Sequence, residues 1–522
     1  MENTLDHLVE WAKRPASDWL ICEHNYQLPQ LVEQLYLELT QLSECGNPPK
    51  ILLAEPEPIR FLAGFVATCA TRCPVFLCNP NWVKQEWQQV FDLVQPDVIL
   101  GIGEPLRSWG LTPLPSSRET RPWGWLPKWS KWRHRAWGIE EHRRTGVEEL
   151  SPPSPLSPPS PLSPLSPPPL IPHSPLIMIP TGGSSGQIKF AIHTWDTLKA
   201  SVRGFTEYFQ INQVNSFCTL PLYHVSGLMQ FMRSFLTGGK LAIQPFKEVE
   251  FGQIHNIQVS EFFISLVPTQ LQRLLQNPQL TEWLSKFETV LLGGAPAWHE
   301  LLEKARYYQI RLAPTYGMTE TASQIATLKP DDFLNGKVSA GKILPHARVT
   351  ICNEQGDMLN ANQIGNIKIQ GKSLALGYYT QHSSQNQLDT LQVDDLGFLD
   401  EQGYLNIVGR SSDKIITGGE NVYPLEIEAA IRATDMVVDV GVIGMPDKSW
   451  GQAVTAIYIP KNTYTSTAEI QSQLKDKLNR FKIPKHWISV PTLPRNSQGK
   501  INRQQLQQIA AESLECHCKR KS

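Results

Sequence analysis

Apolar positions along the chain fall into two kinds of period. Residues 31–42 carry apolar side chains at helical spacing. Ile51-Leu52-Leu53-Ala54 and Val98-Ile99-Leu100 are short unbroken apolar runs, as expected of parallel strands buried on both faces. Leu176-Ile177-Met178-Ile179 is a third such run, followed by a glycine- and serine-rich loop. A helix is expected after that loop, with Thr194 as N-cap and Leu198, Val202, Phe205 and Phe209 on one face. Strand-like and helix-like segments then alternate to Val408, which predicts parallel-rich sheets flanked by helices. Residues 411–522 read as a small α+β unit. It opens with a strand through Ile415-Ile416-Thr417, a turn at Gly418-Gly419 and a helix from Pro424, where a missing N–H costs nothing.

At 522 residues the chain exceeds one ordinary core, so two or more domains are expected. The formal charge of −1 gives no electrostatic footprint for nucleic acid. The first residues lack the basic and apolar regions of a secretory signal, and no apolar run reaches the roughly 20 residues of a membrane span. The nine scattered cysteines fit reduced thiols in a cytoplasmic protein. Cys69, Cys73 and Cys78 cluster and Cys516-His517-Cys518 ends the chain, but neither group has zinc-finger spacing.

Two segments stand apart. Residues 107–137 interleave tryptophan with arginine and lysine, as either a partner or membrane-surface patch or an irregular surface segment. Residues 151–175 repeat Ser-Pro-Leu and Ser-Pro-Pro, which predicts extended polyproline-like chain. That insert is either a docking site for a proline-reading domain or a solvated excursion.

Chemistry-bearing residues concentrate after the insert. In Thr181-Gly182-Gly183-Ser184-Ser185-Gly186-Gln187-Ile188-Lys189, glycines allow close backbone approach to phosphates, and hydroxyls and N–H groups can donate to them. Gly186 precedes Gln187, so this is not a Walker loop. Leu292-Gly293-Gly294-Ala295-Pro296 reads as a strand end turning into a helix. Further on come Tyr316-Gly317-Met318-Thr319-Glu320, Asp394-Asp395-Leu396-Gly397, Gly409-Arg410-Ser411-Ser412-Asp413 and Gly499-Lys500.

In this order these strings resemble the adenylate-forming superfamily of acyl- and aryl-CoA synthetases, luciferases and peptide-synthetase adenylation domains. The resemblance runs from Leu176 to Ile501; the first 150 residues match only in general pattern. It implies an α/β large domain over 1–409, a hinge at 410–413 with Ser412 as pivot, and a small mobile α+β domain over 414–522. It also implies that Thr181, Gly182, Gly183, Ser184, Ser185, Gly186 and Lys189 cradle the phosphates of ATP. Gly293, Gly294, Ala295, Tyr316 and Gly317 would line the adenine, and Thr319 would bond the α-phosphate. Glu320 would hold Mg²⁺, Asp395 and Arg410 the ribose, and Gly418 and Gly419 the path of coenzyme A. Lys500 would be the catalytic lysine. The chain departs from the usual pattern at Gly182, Ile188, Val393, Asp394 and Ser412.

The acid is addressed by Pro221-Leu222-Tyr223-His224-Val225-Ser226-Gly227. Amino-acid-activating relatives carry aspartate at the position of His224, and an imidazole does not suit an ammonium group. The string through Arg233 resembles o-succinylbenzoate–CoA ligases of quinone biosynthesis. That resemblance implies His224 and Ser226 in the acid pocket and Arg233 on the non-reacting carboxylate. Arg233 reads equally as a structural ion pair on a helix. The expected activity is ATP- and Mg²⁺-dependent thioester formation with coenzyme A. Another acyl- or aryl-CoA synthetase, and a non-catalytic scaffold, are the alternatives. Oligomeric state is left open, with a homodimer as the candidate.

Overall fold

The computed structural model describes residues 15, 18–44, 48–101, 174–182, 187–380, 390–418, 420–447, 449–462, 464–475, 477–495 and 501–519. The Trp/Arg-rich segment and the proline-rich repeat through residue 173 lie outside them, as do Gly183, Ser184, Ser185, Gly186, Gly419 and Lys500.

Three sheets organise the chain. The first has five strands in the spatial order Val98–Gly101, Ile51–Ala54, Val75–Leu77, Leu176–Gly182 and Ile188–Thr194. The apolar runs therefore form parallel strands, Ile51–Ala54 and Leu176–Gly182 inside the sheet and Val98–Gly101 at its edge. The last strand, Ile188–Thr194, is antiparallel to its neighbour. It corrects the sequence reading, which took the chain from the glycine loop directly into a helix. Residues 190–194 are all buried, so this strand shows no alternation to betray it. The helix follows as Trp195–Phe209, with Thr194 Oγ1 accepting from the Thr197 N–H at 3.3 Å.

The second sheet has twelve strands and changes character midway. Six parallel strands run in the order Leu20–Ile21, Leu241–Ile243, Asn215–Cys218, Phe262–Leu266, Thr289–Leu292 and Leu312–Met318. Ser323–Thr327 then folds back antiparallel, and the remaining strands continue in that sense to Ala347–Cys352. The helices Trp195–Phe209 and Val225–Thr237 pack beside each other, with buried Leu198, Val202, Leu228, Met229 and Met232 in one apolar cluster.

The third sheet, with Ile415–Thr417, Glu420–Val422, Val437–Asp447, Gly451–Pro460 and His486–Ser489, belongs to the C-terminal part. Helix Pro424–Arg432 buries Ile427 and Ile431 against it, with proline in its first turn as expected. A short strand, Glu420–Val422, lies between the glycine turn and that helix, which the sequence reading did not foresee. No helix among the described residues is long and apolar enough to cross a membrane.

Candidate active site

Parallel strands present their carboxyl ends along one edge of a sheet, and ligands of open α/β folds gather there. His224 follows strand Asn215–Cys218 at that edge, as the N-cap residue of helix Val225–Thr237. Gly293, Gly294 and Ala295 leave the end of Thr289–Leu292, in a turn that ends where helix His299–Tyr307 begins. Tyr316 and Gly317 end the adjacent strand, Leu312–Met318, with Leu292 in register with Pro314. One 3₁₀ turn, Thr319–Thr321, then reverses the chain.

Two carboxylates sit at this edge. Thr181, in register with Lys189 across the strand pair, donates its hydroxyl to Glu320 Oε1 at 3.3 Å. The Tyr378 hydroxyl donates to the same oxygen at 2.7 Å. Lys189 Nζ lies 5.6 Å from the centre of the Tyr378 ring. Burial and the neighbouring Glu320 push the Tyr378 phenol up, which keeps it a donor. Among the described residues nothing bonds Oε2 of Glu320, so one hard oxygen remains for a cation.

Asp395 is the second carboxylate. It accepts from the Tyr316 hydroxyl at 2.7 Å and pairs with Arg410 Nε at 3.4 Å. Asp395 and Arg410 are also cross-strand partners, which fixes their spacing. Burial, then Asp395, push the Tyr316 phenol up. Sequence motifs 79 residues apart thus meet in one hydrogen bond.

The turn carrying Thr319 is braced from behind. His193 Nε2 lies 2.8 Å from the Thr319 carbonyl, and Nδ1 lies 3.0 Å from Thr197 Oγ1. A carbonyl only accepts, so Nε2 carries the proton. Burial lowers the imidazole to about 4, and it is neutral at physiological pH. Ser201 donates to the Ala322 carbonyl at 2.7 Å from the same helix. The sequence reading did not single out His193; the only signal was its place just before a helix cap.

The elements expected at the acid are different in kind. Arg233 lies on the helix capped by His224, nine residues on, which is roughly 13 Å along the axis. Its side chain is buried, donates to Ser323 Oγ at 3.0 Å and Gln324 Oε1 at 2.9 Å, and stacks 4.3 Å over the Phe205 ring. Both hydrogen-bond partners are neutral, and burial pulls the guanidinium down from its ordinary value. Arg233 Nε, Gln230 Oε1 and both nitrogens of His346 are buried without a partner among the described residues. His346 is lowered to about 4 by burial and by Arg233. Ser226 sits on the first turn of the helix, its carbonyl accepting from Gln230 Nε2 at 3.0 Å.

At residues 410–413 the chain is held from both sides. Ser412 donates its N–H to Asp394 Oδ1 at 3.1 Å, and its hydroxyl bonds Oδ2 of the same residue. Asp413 pairs at 2.8 Å with Arg503 of the last helix, which also pairs with buried Glu428 at 3.3 Å. Neighbouring residues are therefore tied to different elements, Ser412 to the strand of Asp394 and Asp413 to the last helix. Gly418 has φ +60, and a Cβ there would meet the Trp450 ring at 2.8 Å, so only glycine suits this turn.

The AMP-binding enzyme family matches residues 27–379, and the AMP-binding enzyme C-terminal domain matches residues 426–500. A 2-succinylbenzoate–CoA ligase of Oceanobacillus iheyensis is 38% identical over 292 residues, which are 55% of this chain and 60% of that protein. Another from Bacillus anthracis is 34% identical over 343 residues, 65% of this chain and 70% of that protein. Among solved structures, o-succinylbenzoate CoA synthetase of Bacillus subtilis in complex with its acyl-adenylate intermediate superposes with a TM-score of 0.73. It is 23% identical and covers 95% of this chain and 97% of its own. ATP-bound MatB from Rhodopseudomonas palustris gives 0.69 at 22% identity, covering 93% of each chain. These likenesses carry the fold: a large α/β N-terminal part and a smaller C-terminal one.

Proposed function

The chain belongs to the AMP-binding enzyme family, and from that premise we propose an ATP-dependent acid–thiol ligase acting on o-succinylbenzoate and coenzyme A. The observation that carries the substrate is Arg233. A buried guanidinium with only neutral partners among the described residues is costly unless something else supplies a negative charge. The second carboxylate of a dicarboxylic acid supplies it. Relatives at 34–38% identity carry the 2-succinylbenzoate–CoA ligase name, which supports the same substrate.

In this reading Thr181, Lys189 and the glycine loop hold the phosphates, and the turn at Gly293-Gly294-Ala295 with Tyr316 and Gly317 flanks the adenine. Asp395 and Arg410 hold the ribose hydroxyls. Thr319 faces the α-phosphate, with its backbone fixed by His193. His224 and Ser226 border the acid at the helix N-terminus. Glu320 would hold magnesium, which when bound neutralises phosphate charge. The donor set fits, since magnesium takes one carboxylate and completes its shell with phosphate and water.

The acid's reacting carboxylate attacks the α-phosphorus, and pyrophosphate leaves. Lys500 offsets the charge that develops between the two anions. The small domain then turns about residues 410–413. Ser412, tied to Asp394, stays with the large domain, while Asp413, tied to Arg503, moves with the small one. This removes Lys500 and brings Gly418 and Gly419 to the site, where the thiol of coenzyme A attacks the acyl carbonyl and AMP leaves. The described cysteines are unpaired and, Cys22 apart, buried, which supports a cytoplasmic setting.

Pyrophosphate release over a panel of acids tests the substrate. The expected result is preference for o-succinylbenzoate. Preference for benzoates or fatty acids makes the chain another acyl-CoA synthetase, and no release with any acid makes it a scaffold. Lys500→Ala should lose adenylate formation by on the order of a hundredfold or more while still converting supplied acyl-adenylate. Single-turnover assays of each half-reaction read this directly, and equal loss of both steps removes the domain turn.

A further inference from the structure

Residues 374–379 belong to none of the sequence motifs, yet they carry Tyr378 and join the two walls of the proposed phosphate site. The Ala375 N–H donates to the Glu320 carbonyl at 2.8 Å. Leu376 N–H donates to the Ile192 carbonyl at 2.8 Å, Ile192 N–H to the Gly377 carbonyl at 2.9 Å, and Tyr379 N–H to the Phe190 carbonyl at 2.8 Å. The segment thus runs as a short extra edge along strand Ile188–Thr194, with Ala191 opposite Tyr378. Gly377 takes φ +139, which a residue with a Cβ avoids.

Successive side chains of an extended segment point to opposite faces. Tyr379 goes inward, edge-on to Phe76 with ring centres 4.8 Å apart. Tyr378 therefore goes outward, to Glu320. The apolar anchor of one tyrosine sets the aim of the other. The Tyr378 and Thr181 hydroxyls both spend themselves on Oε1, at 2.7 and 3.3 Å. The shorter bond is the tyrosine's, so it is the stronger restraint on the carboxylate's rotation.

We infer that Tyr378 is a positioning residue that orients Glu320 for the magnesium–nucleotide complex, through the hydrogen bond between its phenol and Oε1. This rests on the ATP-dependent reading above. Groups that orient a metal-binding carboxylate typically change metal affinity about 10–100-fold when removed. Without the phenol, Glu320 keeps one longer bond and samples more rotamers, so each bound cation must also restrict that freedom.

The test is Tyr378→Phe, which keeps the ring over Lys189 and the backbone brace. ATP binding is followed by calorimetry on the full chain, without magnesium and then across a magnesium titration, with thermal melting as the check on folding. The expected result is metal-free ATP affinity within about twofold of the parent, and a magnesium requirement raised on the order of tenfold. An unchanged magnesium requirement overturns the role. So does equal weakening with and without magnesium, which would mark a merely structural tyrosine. A parent that binds no ATP at any magnesium concentration removes the ATP-dependent reading itself, and this role with it. A parent whose ATP binding depends on magnesium, beside an unaltered mutant, removes only the role of Tyr378.

Discussion

The two halves of the site keep their charges in opposite ways. On the proposed nucleotide side, protein donors hold both carboxylates, with Oε2 of Glu320 left open among the described residues. Asp395 has a phenol and a guanidinium, and Glu320 has two hydroxyls. On the proposed acid side, Arg233 has two neutral oxygens, and polar atoms of Arg233, Gln230 and His346 remain unsatisfied among the described residues. In the first half protein donors fix the aim of both carboxylates. The second is incomplete among the described residues, and in the proposed reading the second carboxylate of the acid completes it. Preorganised groups lose little on binding and serve a substrate that never varies. An unanswered buried cation serves selection, because the wrong ligand leaves its cost in place.

The largest expected effect comes from breaking the answered half. Asp395→Ala removes the acceptor shared by Tyr316 and Arg410. Bonds to charged groups are worth about 1.5–3 kcal/mol, so kcat/KM for ATP should fall roughly tenfold to a hundredfold. Every acid should suffer alike, since the loss lies on the nucleotide. Steady-state rates with a dicarboxylate and a monocarboxylate measure it. A loss that depends on the acid would mean that the halves are not separate.

Next is Arg233→Met, which tests the open half with two readouts of opposite sign. Turnover of o-succinylbenzoate should drop on the order of tenfold or more in kcat/KM, while a simple benzoate, if used at all, should hardly change. The melting temperature should stay level or rise, because an unanswered buried charge is replaced by an adaptable apolar chain. A marked fall in stability together with equal loss on both acids would make Arg233 a structural residue.

What the sequence made legible follows this same division. Strands built of short apolar runs, the Thr194 cap and the proline-led helix at Pro424 were readable because their causes are local. Tyr316, Glu320, Asp395 and Arg410 were readable as ordered strings, and their mutual contacts were not. The bracing residues escaped because their partners are remote. His193 meets Thr319 across 126 positions and Tyr378 meets Glu320 across 58. Asp394 was read only as a departure from a familiar string, yet its carboxylate holds Ser412. His346 gave no signal, because a lone histidine after proline becomes notable only once it is buried beside a guanidinium.

The smallest expected effect concerns the residue that ties the halves together. His193 bonds the turn of Thr319 on one side, and on the other Thr197 of the helix whose Phe205 supports Arg233. In the folded chain its imidazole titrates at about 4, against an ordinary 6.5, because burial opposes the charged form. As pH falls below 6.5 the unfolded chain takes up a proton that the folded chain refuses. The stability held by neutral His193 is therefore complete above about pH 6.5 and drains away as pH drops towards 4. His193→Gln keeps an N–H donor for the Thr319 carbonyl but cannot titrate. The variant should melt below the parent at pH 7.5, and the gap should narrow by roughly 1–3 °C at pH 5. Its rate losses should fall on ATP and on both acids together, since the tie supports both halves. Thermal melts at the two pH values read the first expectation and steady-state kinetics the second. A gap that stays constant with pH would show that His193 is not held neutral. A loss confined to one substrate would show that the turn and the helix are positioned independently, and that the two halves share an edge without sharing a brace.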